Sequence, residues 1–244
     1  MIRFIIVLTV VVLLLVGSIP ILIFESILGR IDPKKKDAHC LALIRWSFGI
    51  VAGLSGASTT IIGKENIPSD TAVLYVANHR SYFDIILTCM NVPTLTGYVA
   101  KTEMLRYPLL VNWMRNIHCT FLDRKNIKKG LQVIQENVEN LKNGISVFVF
   151  PEGTRNKTDE LLLPFHDGSL KMAEKSGVPI VPVTINNSEQ IFEAHMPKIK
   201  KGHVVIEFGK PIYMNDMTRD EKKQVSRQIQ DILKETYIRN AELV

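Results

Sequence analysis

"TAVLYVANHRSYFD", residues 71–84, runs an apolar segment straight into a polar turn and on toward a helix. Residues 71–77 carry the β-branched and aromatic types that suit a strand. Ser81-Tyr82-Phe83-Asp84 then has the S-x-x-D pattern of a helix capping box. Strand followed by helix is the repeating step of an α/β domain.

Working outward, the same alternation continues. Strands are predicted at "TAVLYVA", "LTGYVA", "CTFLD", "ISVFVF", "PIVPVTI" and "HVVIEFG". Helices are predicted near 81–91, 107–116, 126–142, 168–176 and 218–238; in one of them Ile127, Leu131, Ile134, Val138 and Leu141 recur every three or four residues. The expected fold is α/β, a single mainly parallel sheet flanked by helices, over residues 59–244. In such sheets ligands collect at the carboxyl ends of strands. Three polar stretches fall there: "NHRSYFD", the "DR" of "FLDR", and "PEGTR".

Each stretch has a plain reading and a chemical one. Asp84 caps the following helix, or it holds the imidazole of His79 by one nitrogen and leaves the other to accept a proton. The second arrangement makes a general base for activating a hydroxyl. No G-x-S-x-G elbow accompanies it, and Cys119 in "HCTFLDR" reads as a small buried residue. "FPEGTR" is a polar turn, or a cradle in which Gly153 admits close approach while Glu152, Thr154 and Arg155 present a carboxylate, a hydroxyl and a guanidinium. Arg124 and Lys101 add cations at two more strand ends, so the three together point to an anionic substrate.

The N-terminus differs in character. Phe4 to Phe24 is a run of 21 uncharged residues, which as a helix reaches about 30 Å, the thickness of a bilayer core. A cleaved signal peptide, with Arg3 as n-region and Val16–Ser18 as cleavage site, is the rival reading, but the apolar run continues past that site. Pro20 is placed to kink the run into a re-entrant path. Arg30 and Lys34–Lys36 follow, favouring the cytoplasmic side and an anionic membrane surface. A second stretch, "CLALIRWSFGIVAGLSGAS", is interrupted by Arg45 and Trp46 and reads as an interfacial helix. Residues 1–58 are therefore expected to form membrane-associated anchoring helices.

Composition agrees with this division. The chain has 244 residues, 46% hydrophobic and 22% charged, which supports a packed core. Its net charge of +6 suits a membrane surface, and without a basic-aromatic repeat nucleic acid is not an expected partner. The three cysteines have neither a disulfide-framework nor a zinc-ligand spacing, so no metal site is expected.

"NHRSYFD", "FLDR", "FPEGTR" and "VPIVPV" occur in the order and at the separations of the four sequence blocks of the glycerolipid acyltransferases, and the chain resembles that family from about residue 61 to 215. The resemblance implies transfer of a fatty acyl group from an acyl-CoA or acyl-carrier-protein thioester to the sn-2 hydroxyl of 1-acyl-glycerol-3-phosphate, without a metal or bound cofactor. It makes His79 the base and Asp84 its orienting partner. Lys101, Arg124, Glu152, Gly153, Thr154 and Arg155 become the acceptor site, and Pro182 a shaper of it. One departure stands out: His118 occupies the position where the family usually has glycine. The alternatives are acylation of another lysophospholipid or of glycerol-3-phosphate, or an inactive module that binds anionic lipid.

Overall fold

The computed structural model describes residues 1–123 and 126–244. Three helices, α1 (Ile2–Gly17), α2 (Ile19–Ile31) and α3 (Pro33–Ser55), precede the sheet. The strands are β1 (Ala57–Ile62), β2 (Leu74–Ala77), β3 (Thr96–Lys101), β4 (Thr120–Leu122), β5 (Ser146–Val149), β6 (Ile180–Asn186) and β7 (Gly202–Phe208). Between and after them run α4 (Phe83–Asn91), α5 (Pro108–Asn116), α6 (Ile127–Lys142), α7 (Lys171–Ser176) and α8 (Arg219–Asn240). Among the described residues these strands form one seven-stranded sheet in the order β1-β7-β6-β2-β5-β3-β4. Its strands pair in parallel except for the antiparallel β6–β7 pair. The expected single, mainly parallel sheet flanked by helices is what the chain forms.

Period-two alternation splits the core into two layers. Tyr75, Tyr98, Phe148, Val183 and Phe208 face α1–α5, packing with Cys40, Ile44, Phe83, Leu87 and Trp113. Leu74, Val76, Val147, Val149 and Ile180 face the other way, against Leu141 of α6, Met172 of α7 and Ile229 and Leu233 of α8. With both faces covered, the central strands read as continuous apolar runs, which is why they were easy to find. Pro182 fits within β6 because its carbonyl faces the β7 side and accepts from Gly209 N–H at 2.8 Å, one residue outside the β6–β7 ladder that begins at Val183–Phe208. Its missing N–H forfeits only the return bond to Gly209 O, at the end of that ladder, and leaves the β2 pairing intact.

Three features of the N-terminal segment bear on the expected outline: first, the kink expected near Pro20 is present, and then two boundaries differ. The apolar run is broken at Ser18, where α1 and α2 meet at 46°. Ser18 Oγ donates to Leu15 O at 2.8 Å and accepts from Trp113 Nε1 at 2.8 Å, so α5 pins the bend, and Pro20 follows in the first turn of α2. Second, α3 begins seven residues before the expected stretch, capped by the Asp32 side chain on Lys35 N–H at 3.0 Å. Third, α3 ends at Ser55 on a left-handed Gly56 (φ 70°), and residues 57–62, read as the end of a helix and its exit, are an edge strand. Three of the six β1 residues are exposed, so the apolar signal of a strand is missing.

Arg45, which interrupts the apolar pattern of α3, turns inward. It donates to Cys89 O at 3.2 Å and Val92 O at 2.5 Å, closing the carboxyl end of α4. Trp46 beside it is 60% exposed. Glu25 of α2, fully buried, pairs with His39 of α3.

Candidate active site

Strands β6, β2, β5, β3 and β4 run parallel and adjacent, so their carboxyl ends share one edge of the sheet. That edge gathers His79 after β2, residues 150–156 after β5, and Lys101 at the end of β3. Arg124, assigned to the same edge from sequence, lies outside the described residues.

Asp84 satisfies both of its sequence readings with one atom. Its Oδ2 accepts from Ser81 N–H and Arg80 N–H, each at 2.8 Å, and lies 2.7 Å from His79 Nδ1. Ser81 Oγ accepts from Phe83 N–H at 3.0 Å and not from Asp84 N–H, so the expected capping box forms only in its carboxylate half. The helix starts one residue later than expected, with Tyr82 as its N-cap and the carboxylate buried in its first turn. A buried carboxylate on Nδ1 fixes the tautomer with Nε2 unprotonated. Among the described residues none hydrogen-bonds Nε2. The imidazole stacks on Phe150 (centroids 4.1 Å apart, planes 19°), which locks its rotation.

Asn78 and Arg80 of "NHRSYFD" hold the surrounding structure. Asn78 spans to β6, donating to Ile185 O and accepting from Ile185 N–H, both at 2.8 Å. Arg80 donates to Glu160 O at 2.5 Å and lies over the Tyr237 ring, tying the loop after β5 to α8.

The loop after β5 grips the same turn. Glu152 accepts from His79 N–H (Oε1, 2.8 Å) and from Leu163 N–H (Oε2, 2.8 Å), while Asn156 N–H donates to His79 O at 2.7 Å. Burial raises the Glu152 carboxyl above its ordinary range, against the pull of its two backbone donors and the charges of His79 and Arg80. Gly153 adopts φ 72° and closes a turn onto Phe150 O at 2.9 Å, a conformation that favours glycine. Lys101 Nζ donates to Thr154 Oγ1 at 3.2 Å, so two candidates from separate strands meet. Arg155 donates to Glu193 Oε1 at 2.9 Å and to Tyr82 OH at 3.1 Å, its guanidinium 3.8 Å from the Tyr82 ring centre. Phe150 also lines a mainly apolar cavity of about 260 Å³, with Val99, Leu122, Ile134 and Met172 on its walls and the polar Asn126 and His166 beside them.

Residues 58–186, from β1 to the end of β6, match the family described as Acyltransferase. This chain belongs to the acyltransferase family. It is 28% identical to the 1-acyl-sn-glycerol-3-phosphate acyltransferase of Saccharomyces cerevisiae over 88% of this chain and 71% of that one. It is 27% identical to the enzyme of that name from Escherichia coli, over 92% and 90% of the two chains. A probable 1-acyl-sn-glycerol-3-phosphate acyltransferase of Mycoplasma pneumoniae is 29% identical over 96% and 90%. The crystal structure of the 1-acyl-sn-glycerophosphate acyltransferase of Thermotoga maritima superposes with a TM-score of 0.78 over 98% of this chain and 95% of that one, at 24% identity, and so shares the fold.

Within this acyltransferase, sequence reasoning missed Glu193. It follows β6, beyond the matched span, in a segment with no recognisable block, and only the sheet order brings it to the turn after β2. Phe150, which opens "FPEGTR", seats the imidazole, a role that no local sequence signal marks. The cysteines behave as buried residues: burial pushes the Cys89 and Cys119 thiols up to about 12, so neither supplies a thiolate near neutral pH. His118, at the family's glycine position, adopts φ 59° and contacts Asp37 of α3 at 3.1 Å, a structural placement.

Proposed function

We propose that this acyltransferase moves a fatty acyl group from an acyl-CoA or acyl-carrier-protein thioester to the sn-2 hydroxyl of 1-acylglycerol-3-phosphate, giving phosphatidic acid. The observation that carries the reading is the His79–Asp84 pair at 2.7 Å, clamped at a strand end beside Arg155 and Lys101. The names of the relatives supply the substrate class. His79 Nε2 takes the proton of the acceptor hydroxyl as its oxygen attacks the thioester carbonyl. The new C–O bond forms, the C–S bond breaks, and the imidazolium returns the proton to the departing thiolate. Asp84 holds the imidazole in the competent tautomer and offsets the charge it gains.

Arg155, Lys101 and Thr154, with Arg124, hold the acceptor phosphate, and Gly153 lets the backbone approach it. The mainly apolar cavity lined by Phe150 suits a hydrocarbon chain. The route uses side-chain acid–base chemistry and calls for no resident metal or cofactor. The test is release of free thiol by the purified chain in detergent with a panel of acceptors. Turnover with 1-acylglycerol-3-phosphate is expected, and turnover with glycerol-3-phosphate or another lysophospholipid alone would overturn the assignment.

The enzyme works at the cytoplasmic face of a membrane. Ile5, Leu8, Val12, Leu13, Ile23 and Ile27 of α1 and α2 are exposed apolar side chains, and α3 is a helix long and apolar enough to cross a bilayer. Arg30 and Lys34–Lys36 favour the cytoplasmic side, where thioester donors are made. Protease added to sealed inside-out vesicles should reach the α/β domain, and cleavage only in right-side-out vesicles would reverse the orientation.

A further inference from the structure

Glu193 joins three parts of the site. Its Oε2 accepts from Ser81 Oγ at 2.5 Å, and its Oε1 accepts from Tyr82 N–H at 2.8 Å and from Arg155 at 2.9 Å. The carboxylate side chain is 11% exposed and that of Arg155 21%, so the pair is largely withdrawn from water. Such a pair is more strongly coupled than a surface one.

From these contacts we infer that Glu193 is a positioning residue that presets Arg155 for the phosphate of the acceptor. The inference rests on the reaction proposed above. A guanidinium has five N–H donors in one plane. Glu193 takes one on Nη1 and Tyr82 OH one on Nη2, while the Tyr82 ring lies against its face. The plane is thus fixed from three sides, with further donors left for a ligand. An unpaired arginine on a loop samples many rotamers and must be ordered when phosphate binds, a cost that lowers affinity. The same carboxylate holds Ser81 and Tyr82 at the start of α4, two residues from Asp84, so the phosphate grip and the general base are set from one group. It recognises no substrate atom itself; it acts through Arg155.

The sign of the effect decides the matter. A carboxylate beside a phosphate site also repels the ligand, and were that dominant its removal would tighten acceptor binding. Glu193→Gln keeps the shape and one acceptor oxygen and removes the ion pair. In the full chain in detergent, with melting temperature checking the fold, the variant is expected to raise the KM for 1-acylglycerol-3-phosphate about tenfold. The KM for the thioester should move by less than about twofold, and kcat should fall far less than acceptor KM rises. In an Arg155→Ala background the same substitution should add almost nothing to the acceptor KM, whereas any effect on stability or through Ser81 and Tyr82 persists there. Glu193→Asp, which keeps the charge on a shorter stem, should fall between wild type and Gln, and it replaces Gln if that variant does not fold.

Equilibrium binding of labelled 1-acylglycerol-3-phosphate without donor separates this inference from the reaction. A wild-type chain that binds but does not turn over sinks the proposed reaction and still reads the Glu193 effect as a Kd. A chain that does neither removes the inference as well. An unchanged or lowered acceptor KM and Kd in Glu193→Gln, or equal losses for donor and acceptor, would overturn it.

Discussion

Glu152 holds His79 by its backbone: Oε1 accepts the His79 N–H at 2.8 Å while Oε2 takes Leu163 N–H at 2.8 Å. Glu152→Gln leaves one oxygen for two buried donors and turns an NH₂ toward the other, a loss of about 1–3 kcal/mol. A displaced imidazole should also lower kcat by about tenfold or more. The pH dependence has a definite sign. Burial raises the folded-state carboxyl above its unfolded value of 4.5, so its linkage contribution is full below that value and is lost as pH rises through the folded value. The stability difference between wild type and variant, from denaturant melts at pH 4 and pH 7, should therefore be larger at pH 4. A difference that grows with pH would mean that the backbone bonds outweigh burial.

For the base itself, His79→Ala should cost about 10²- to 10⁴-fold in kcat with the fold retained. Asp84→Asn should lose most activity too, because its amide can hold the wrong tautomer. Asp84→Ser is the control, since a short hydroxyl can assist the helix start but cannot reach His79. Near-normal rates in Asp84→Ser would reduce the residue to a cap.

Arg155→Lys should raise the acceptor KM by about tenfold, with little change for the thioester, because lysine cannot bond Glu193, Tyr82 and phosphate in one plane. Tyr82→Phe keeps the ring under the guanidinium and removes only the 3.1 Å bond, so its effect should be several-fold smaller. Steady-state kinetics with each substrate varied in turn provides the comparison. Equal changes for both substrates would count against phosphate recognition.

Where β3 passes the turn into β4, two positions have opposite tolerances. A Cβ at Gly97 would sit 2.3 Å from His118 O, a backbone atom, so Gly97→Ala should destabilise by at least about 2–3 kcal/mol. His118→Gly relieves a left-handed residue worth about 1 kcal/mol, but frees the unfolded chain and loses the contact with Asp37. Its net change should stay within about 1 kcal/mol. Urea midpoints of the two variants test the contrast.

Much of this was legible in the sequence because the signals are local. "LYVA" and "SVFV" are buried on both faces and read as strands without context. His79 and Asp84 lie five residues apart on one turn, so spacing made their pairing one of two readings, and the resemblance to the acyltransferase blocks chose it. The contacts of Lys101 with Thr154, and of Glu193 with Arg155, depend on which strands are neighbours, and sequence spacing carries no such information. β1 was hidden by its exposed Ser58, Thr59 and Thr60. Arg45 was misleading for a related reason: its charge broke the apolar pattern of α3, and only the packed structure shows the α4 carbonyls that receive it.

The junction at Gly56 has a mechanical consequence. One residue separates α3 from β1, and β1 is zipped along its length to β7, so the sheet has no tether on which to swing. α3 also grips α4 from below through Arg45, at the end opposite Asp84. Under the membrane placement proposed above, covalent geometry and packing would fix the position of His79 relative to the bilayer. Glycines inserted after Gly56 would convert that mount into a leash and slow turnover on bilayers more than on detergent-dispersed lipid.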